Sequence, residues 1–126
     1  PGISFRVVPD PSGDSGSFLS WFLPSQAQTE KAIEALKAAG IFAGNFYWFA
    51  NNWHYIRKWD HLKNATTLNR LNDDQTSALL GLQTQSFAKS DAIMSRTIST
   101  AISLLWTEEQ IKEKGEKMLA AITKVL

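Results

Sequence analysis

The chain has 126 residues, 44% of them hydrophobic and 11% aromatic, enough apolar mass to bury one core, so one compact domain is the expectation. Lys and Arg number 13 against 12 Asp and Glu, and the net charge of +1 excludes a general attraction to nucleic acid or to a membrane surface. With no cysteine, the chain has no disulfide, thiolate zinc site, iron-sulfur cluster or cysteine nucleophile. All four prolines lie in the first 24 residues, which makes the start a connector and the body regular. Pro1-Gly2-Ile3-Ser4 carries no initiator methionine and no signal-peptide profile, and no apolar run approaches the ~20 residues of a membrane span. The expectation is a soluble, cytoplasmic piece of something longer, with residues 1–16 as connector and 17–126 as the domain.

Asp10-Pro11-Ser12-Gly13-Asp14-Ser15-Gly16 is loop chemistry ahead of an ordered element. Ser17 to Leu23 alternates, with Leu19, Trp21 and Leu23 on one face, and predicts a half-buried strand ended by Pro24. Ser25 and Gln28 read as a capping box opening a helix to Ala39, its apolar face formed by Ala32, Ile33, Leu36 and Ala39, with Gly40 as C-cap. Ile41 to Phe49 predicts a second strand. Residues 50–96 form a long excursion with a helix from about Asp74 to Gln85 and a short turn at Ser90 to Ser95. Thr97 to Leu104 predicts the clearest strand, with Ile98, Thr100, Ile102 and Leu104 facing one way. Thr107 and Gln110 form a further capping box, and Ile111, Met118, Leu119, Ile122 and Val125 make the apolar face of a terminal helix. The order β-α-β-excursion-β-α predicts an α+β fold: a small antiparallel three-stranded sheet with helices packed on one face. Its expected core is Leu19, Trp21, Leu36, Ile98, Ile102, Ile111, Met118 and Ile122.

The residues that carry chemistry are concentrated between 46 and 61. Phe46, Tyr47, Trp48, Phe49, Trp53, Tyr55 and Trp59 are half of the 14 aromatics, and both histidines, His54 and His61, lie in or beside them. Asn51, Asn52, Arg57, Lys58 and Asp60 are interleaved, so apolar surface and hydrogen-bonding groups arrive together, as in pockets for polar small molecules. Two histidines with one nearby carboxylate fall short of a metal site. No nucleophile-elbow pattern supports a serine triad. Asn64-Ala65-Thr66 reads as a chance match to a glycosylation acceptor. The guanidinium of Arg57, set among aromatics, suits bidentate capture of a carboxylate. Two non-enzymatic readings use the same residues. A free-standing carbohydrate-binding module would stack sugars on Trp48, Trp53, Tyr55 and Trp59, and a nucleic-acid module would add Arg57, Lys58 and Lys63.

The succession Asp10-Pro11-Ser12-Gly13-Asp14, Phe18-Leu19-Ser20-Trp21, Ala39-Gly40-Ile41, Asn52-Trp53-His54-Tyr55, Ser95-Arg96-Thr97-Ile98-Ser99 and Trp106-Thr107-Glu108-Glu109-Gln110-Ile111 covers nearly the whole chain. It resembles the C-terminal small domain of the pyridoxal-phosphate-dependent sugar aminotransferases of the DegT/DnrJ/StrS type, which have fold type I. Residues 51–62 look most like the branch that aminates C8 of octulosonate sugars for lipopolysaccharide. One departure is the absence of the proline that the family's last strand usually carries where this chain has Ala101 to Leu105. The resemblance implies that a large domain holds pyridoxal 5'-phosphate and its lysine, while this domain closes over the keto-sugar. An amino-acid donor, a homodimer for the full-length protein and an inactive isolated domain are also implied. His54, Tyr55, Asn52, Arg57 and Trp59 would then bind substrate. Ser86-Phe87-Ala88-Lys89 imitates the family's lead into the cofactor lysine, but no glycine-rich segment follows.

Overall fold

A computed structural model of the chain describes residues 2–41 and 55–126. Its fold is α+β, with one antiparallel three-stranded sheet in the order β1 (Ser4–Phe5), β2 (Phe18–Phe22), β3 (Thr97–Ala101). The helices are α1 (Gln26–Ala38), α2 (Asp60–Lys63), α3 (Asp73–Leu80), α4 (Ala88–Met94) and α5 (Glu108–Thr123), with 3-10 turns at Ile56–Lys58 and Gly81–Thr84. Among the described residues, no helix is long and apolar enough to cross a membrane.

The sheet exists because β2 and β3 alternate in register. Trp21 lies opposite Ile98 and Leu19 opposite Thr100, so one face is dry, while Ser20 opposite Ser99 faces the other way. Arg96 O accepts from Leu23 N at 3.0 Å and Ser17 O from Ile102 N at 2.8 Å, which extends the ladder at both ends. On the dry face Trp21, Leu23 and Ile98 pack against Ala32 and Leu36 of α1, Ile41, and Ala121 and Ile122 of α5.

Local chemistry sets the helix ends. The Ser25 hydroxyl accepts from Gln28 N and donates to Gln28 Oε1, so only half of the expected capping box forms, because the Gln28 carbonyl bonds the hydroxyl rather than the Ser25 amide. Gly40 takes φ +74°, with Gly40 N donating to Lys37 O and Ile41 N to Leu36 O, a Schellman ending that a left-handed residue permits. The Thr107–Gln110 box closes fully, as does one between Asn72 and Gln75 that starts α3.

Several expectations need correction. The third strand is Ser4–Phe5, drawn from the stretch read as connector. Two residues are too few to leave a period-two signal. Ile41 is buried but outside any strand, and the rest of the strand expected over Ile41 to Phe49 lies outside the described residues. β3 stops at Ala101: beyond Ser17 the partner strand has run out, and Ser103 closes a turn by accepting from Leu105 N through its hydroxyl and from Trp106 N through its carbonyl. Leu104 and Leu105 are consequently 89% and 90% exposed. The helix expected from Asp74 to Gln85 is α3 followed by a 3-10 turn, and the turn at Ser90 to Ser95 is mostly helix α4. Leu19 and Met118 are only partly buried, and Ile102 is intermediate. Ile111 is 52% exposed, because only the second half of α5 meets α1. The first half overhangs an apolar cleft of about 380 Å³ walled by Leu19, Ile102, Trp106, Ile111 and Met118.

Ile122→Ala should therefore cost about 2–5 kcal/mol of unfolding free energy in urea, and Ile111→Ala less than about 1 kcal/mol. Equal losses would show that the front half of α5 is seated after all.

Candidate functional site

Tyr55 is extended and leads into the 3-10 turn Ile56–Lys58, where Lys58 N donates to Tyr55 O at 2.8 Å. The turn brings Tyr55 and Arg57 against one face of α4. Phe87 and Asp91, four residues apart with Asp91 N donating to Phe87 O at 2.8 Å, share that face. The Tyr55 hydroxyl donates to Asp91 Oδ1, and Arg57 Nη2 pairs with Asp91 Oδ2 at 2.6 Å. Phe87 completes the group, lying edge-on to Tyr55 at 6.4 Å between centroids and 5.5 Å beneath the Arg57 guanidinium carbon. One carboxylate and one ring thus fix both side chains.

The electrostatics follow from this arrangement. Burial, then the hydrogen bond to Asp91, raise the Tyr55 pKa above its ordinary value. A hydrogen bond with the Tyr55 phenol, then the Asp91 charge, push Arg57 up, so its guanidinium is a permanent cation. Arg57 also lines a polar hollow of about 330 Å³ with Lys63, Asn64, Gln83, Gln85 and Phe87. Gln83 Nε2 donates to Lys63 O at 2.5 Å and ties the end of α2 to the second 3-10 turn. Lys63 pairs with Asp60 at 2.5 Å, a hydrogen bond that lowers the Asp60 pKa. Cationic donors and amides around one hollow suit an anionic, hydroxylated ligand.

The expected site residues divide into three groups. His54 and Asn52 lie outside the described residues, as do Trp48 and Trp53. Arg57 and Trp59 are partly exposed, and Trp59 stacks on His61 with centroids 6.2 Å apart and planes at 24°. Tyr55 is only 4% exposed and its hydroxyl engages Asp91, so in this arrangement it backs Arg57 and offers no open ring for a sugar. That burial also removes Tyr55 from the stacking platform of a carbohydrate-binding module. Phe87 and Asp91 escaped the sequence reading. Asp91 lies 36 residues along the chain from Tyr55, and Phe87 stands four residues before Asp91, so no local pattern links them to Tyr55. Arg96, part of the Arg-Thr-Ile-Ser strand, is structural: its Nη1 donates to Leu23 O at 3.2 Å and its Nε to Ala92 O at 2.7 Å, fastening α4 to β2.

Among the described residues no group of three His, Cys, Asp or Glu side chains is placed to hold a metal ion. Lys89 is exposed on α4, whereas a cofactor lysine works from a desolvated pocket. No model of a known protein family matches the chain.

Because the folded state raises the Tyr55 pKa, its contribution to stability is complete below the unfolded value of about 10 and is lost as pH rises through the folded value. Tyr55→Phe should flatten the fall in unfolding free energy above about pH 10. An identical alkaline slope in wild type and variant would contradict the buried Tyr55–Asp91 pair.

Proposed function

We propose that the chain is the substrate-covering small domain of a pyridoxal-phosphate-dependent sugar aminotransferase, acting on a keto-sugar of the octulosonate type for lipopolysaccharide or another surface polysaccharide. The observation that supports this most is the Arg57 guanidinium, held by Asp91 and Phe87 on the wall of a polar hollow, within the stretch that resembles the octulosonate branch. A keto-sugar acid carries one carboxylate and several hydroxyls. Arg57 supplies charge-assisted hydrogen bonds to the first, and Asn64, Gln83 and Gln85 have the amide chemistry to meet the second.

On this reading the cofactor belongs to the family's large domain and supplies the amino transfer. The work of this chain is to bind, orient and shield the sugar. Arg57 grips the carboxylate and Trp59 shapes the wall. Tyr55 supports Arg57 from behind, and His54 and Asn52 are assigned sugar contacts by the resemblance alone. The full-length protein is proposed to be a cytoplasmic homodimer using an amino-acid donor.

In the full-length enzyme, Arg57→Ala should raise KM for the keto-sugar by about tenfold to a hundredfold with kcat little changed, the signature of binding that is equal in ground and transition states. His54→Ala should lower kcat/KM. Unchanged kinetics in the Arg57 variant would remove the carboxylate assignment. Incubating the present chain with pyridoxal phosphate should give no absorbance from a lysine-bound cofactor. Such a band, lost in Lys89→Ala, would show that the domain has been misassigned.

A further inference from the structure

We propose that Asp91 is a positioning residue, which sets the Arg57 fork in the wall of the polar hollow so that it meets a ligand carboxylate already oriented. The inference rests on the reading of Arg57 as the carboxylate ligand and adds to it the residue through which α4 controls that grip.

Three observations carry it. Asp91 uses both of its oxygens, one on the Tyr55 hydroxyl and one on Arg57 Nη2, so the guanidinium is located by a carboxylate that is itself pinned by a buried phenol. Phe87, the N-cap residue of the same helix, lies under the guanidinium and restricts its remaining freedom. The Arg57 side chain nevertheless stays 43% exposed and lines the hollow, which leaves part of the fork within reach of a ligand. A long, flexible side chain held at one edge and open at the other loses less freedom on binding than an unrestrained one, and that difference appears as affinity. Lys63, the other cation of the hollow, pairs among the described residues with the exposed Asp60, whereas Arg57 is held by a carboxylate anchored to a buried phenol.

The test uses the chain as it is. The Arg57 Nε–H resonance is followed by NMR during titration with sodium gluconate, a polyhydroxy carboxylate, and with glucose as the uncharged control. In the wild type, gluconate should shift the resonance to saturation and glucose should not. Asp91→Asn keeps the shape and an oxygen for Tyr55 but turns an amide donor toward the guanidinium. Its apparent Kd for gluconate should rise about tenfold. Asp91→Glu, which restores the charge, should recover most of that loss. Ultraviolet titration reads the clamp independently, since the chain has only two tyrosines: in Asp91→Asn, Tyr55 should ionise closer to an ordinary phenol. If Asp91→Asn does not fold, Asp91→Ser takes its place with the same expectation.

Gluconate binding as tight in the Asp91 variants as in the wild type, with only the melting temperature lowered, would overturn the positioning role and leave Arg57 as ligand. Absence of gluconate binding in the wild type would remove the Arg57 assignment and this proposal with it.

Discussion

The antiparallel contact of Trp21 with Ile98 is what the rest of the molecule depends on. It buries the centre of the dry sheet face, and α1 and α5 have a shared surface to pack on only because β2 and β3 are in this register. A one-residue slip of β2 against β3 would send Trp21 to the open face and Ser20 into the core beside Ile98. The same pairing sets the functional side of the molecule. β3 begins directly after α4, and Arg96 joins the end of that helix to the Leu23 carbonyl while its own carbonyl accepts from Leu23 N. The position of Asp91 is thereby tied to the sheet, and through Asp91 so are Tyr55 and Arg57.

Magnitudes decide what the Arg57–Asp91 pair is for. Both side chains are partly exposed, and ion pairs of that kind contribute about 0–1 kcal/mol to stability. The core side chains each contribute several times more, so removing the pair leaves the fold standing. Its effect is on geometry: it takes a flexible cation out of solution averaging and holds it against Phe87 at the edge of a hollow. Tyr55 contributes differently, since its burial makes the neutral phenol the stable form and gives Asp91 a fixed donor.

Features made by neighbours along the chain were legible in the sequence. The Thr107–Gln110 box, the Gly40 ending, the α1 stripe through Ala32 and Leu36, and the Ile98–Thr100 alternation each involve residues within a few positions, and the structure carries all of them. Features that depend on what a segment meets were not. Ile111 has the right spacing for a buried stripe but faces no helix among the described residues, and Leu104 continues an alternation whose partner strand has already ended. Ser4–Phe5 becomes a strand only because Phe22 and Trp21 are there to pair with it. At the site, the aromatic concentration drew attention to Tyr55, Arg57 and Trp59, whereas Asp91, which organises two of them, stands in a seven-residue helix too short to show a pattern of its own.

The account is tested most directly by a crystal structure of the full-length protein with a keto-sugar acid bound. It predicts the ligand carboxylate within hydrogen-bond distance of the Arg57 guanidinium, with Asp91 still paired to Arg57 from the α4 side and Tyr55 behind them. A carboxylate bound elsewhere, with Arg57 turned to solvent, would contradict it.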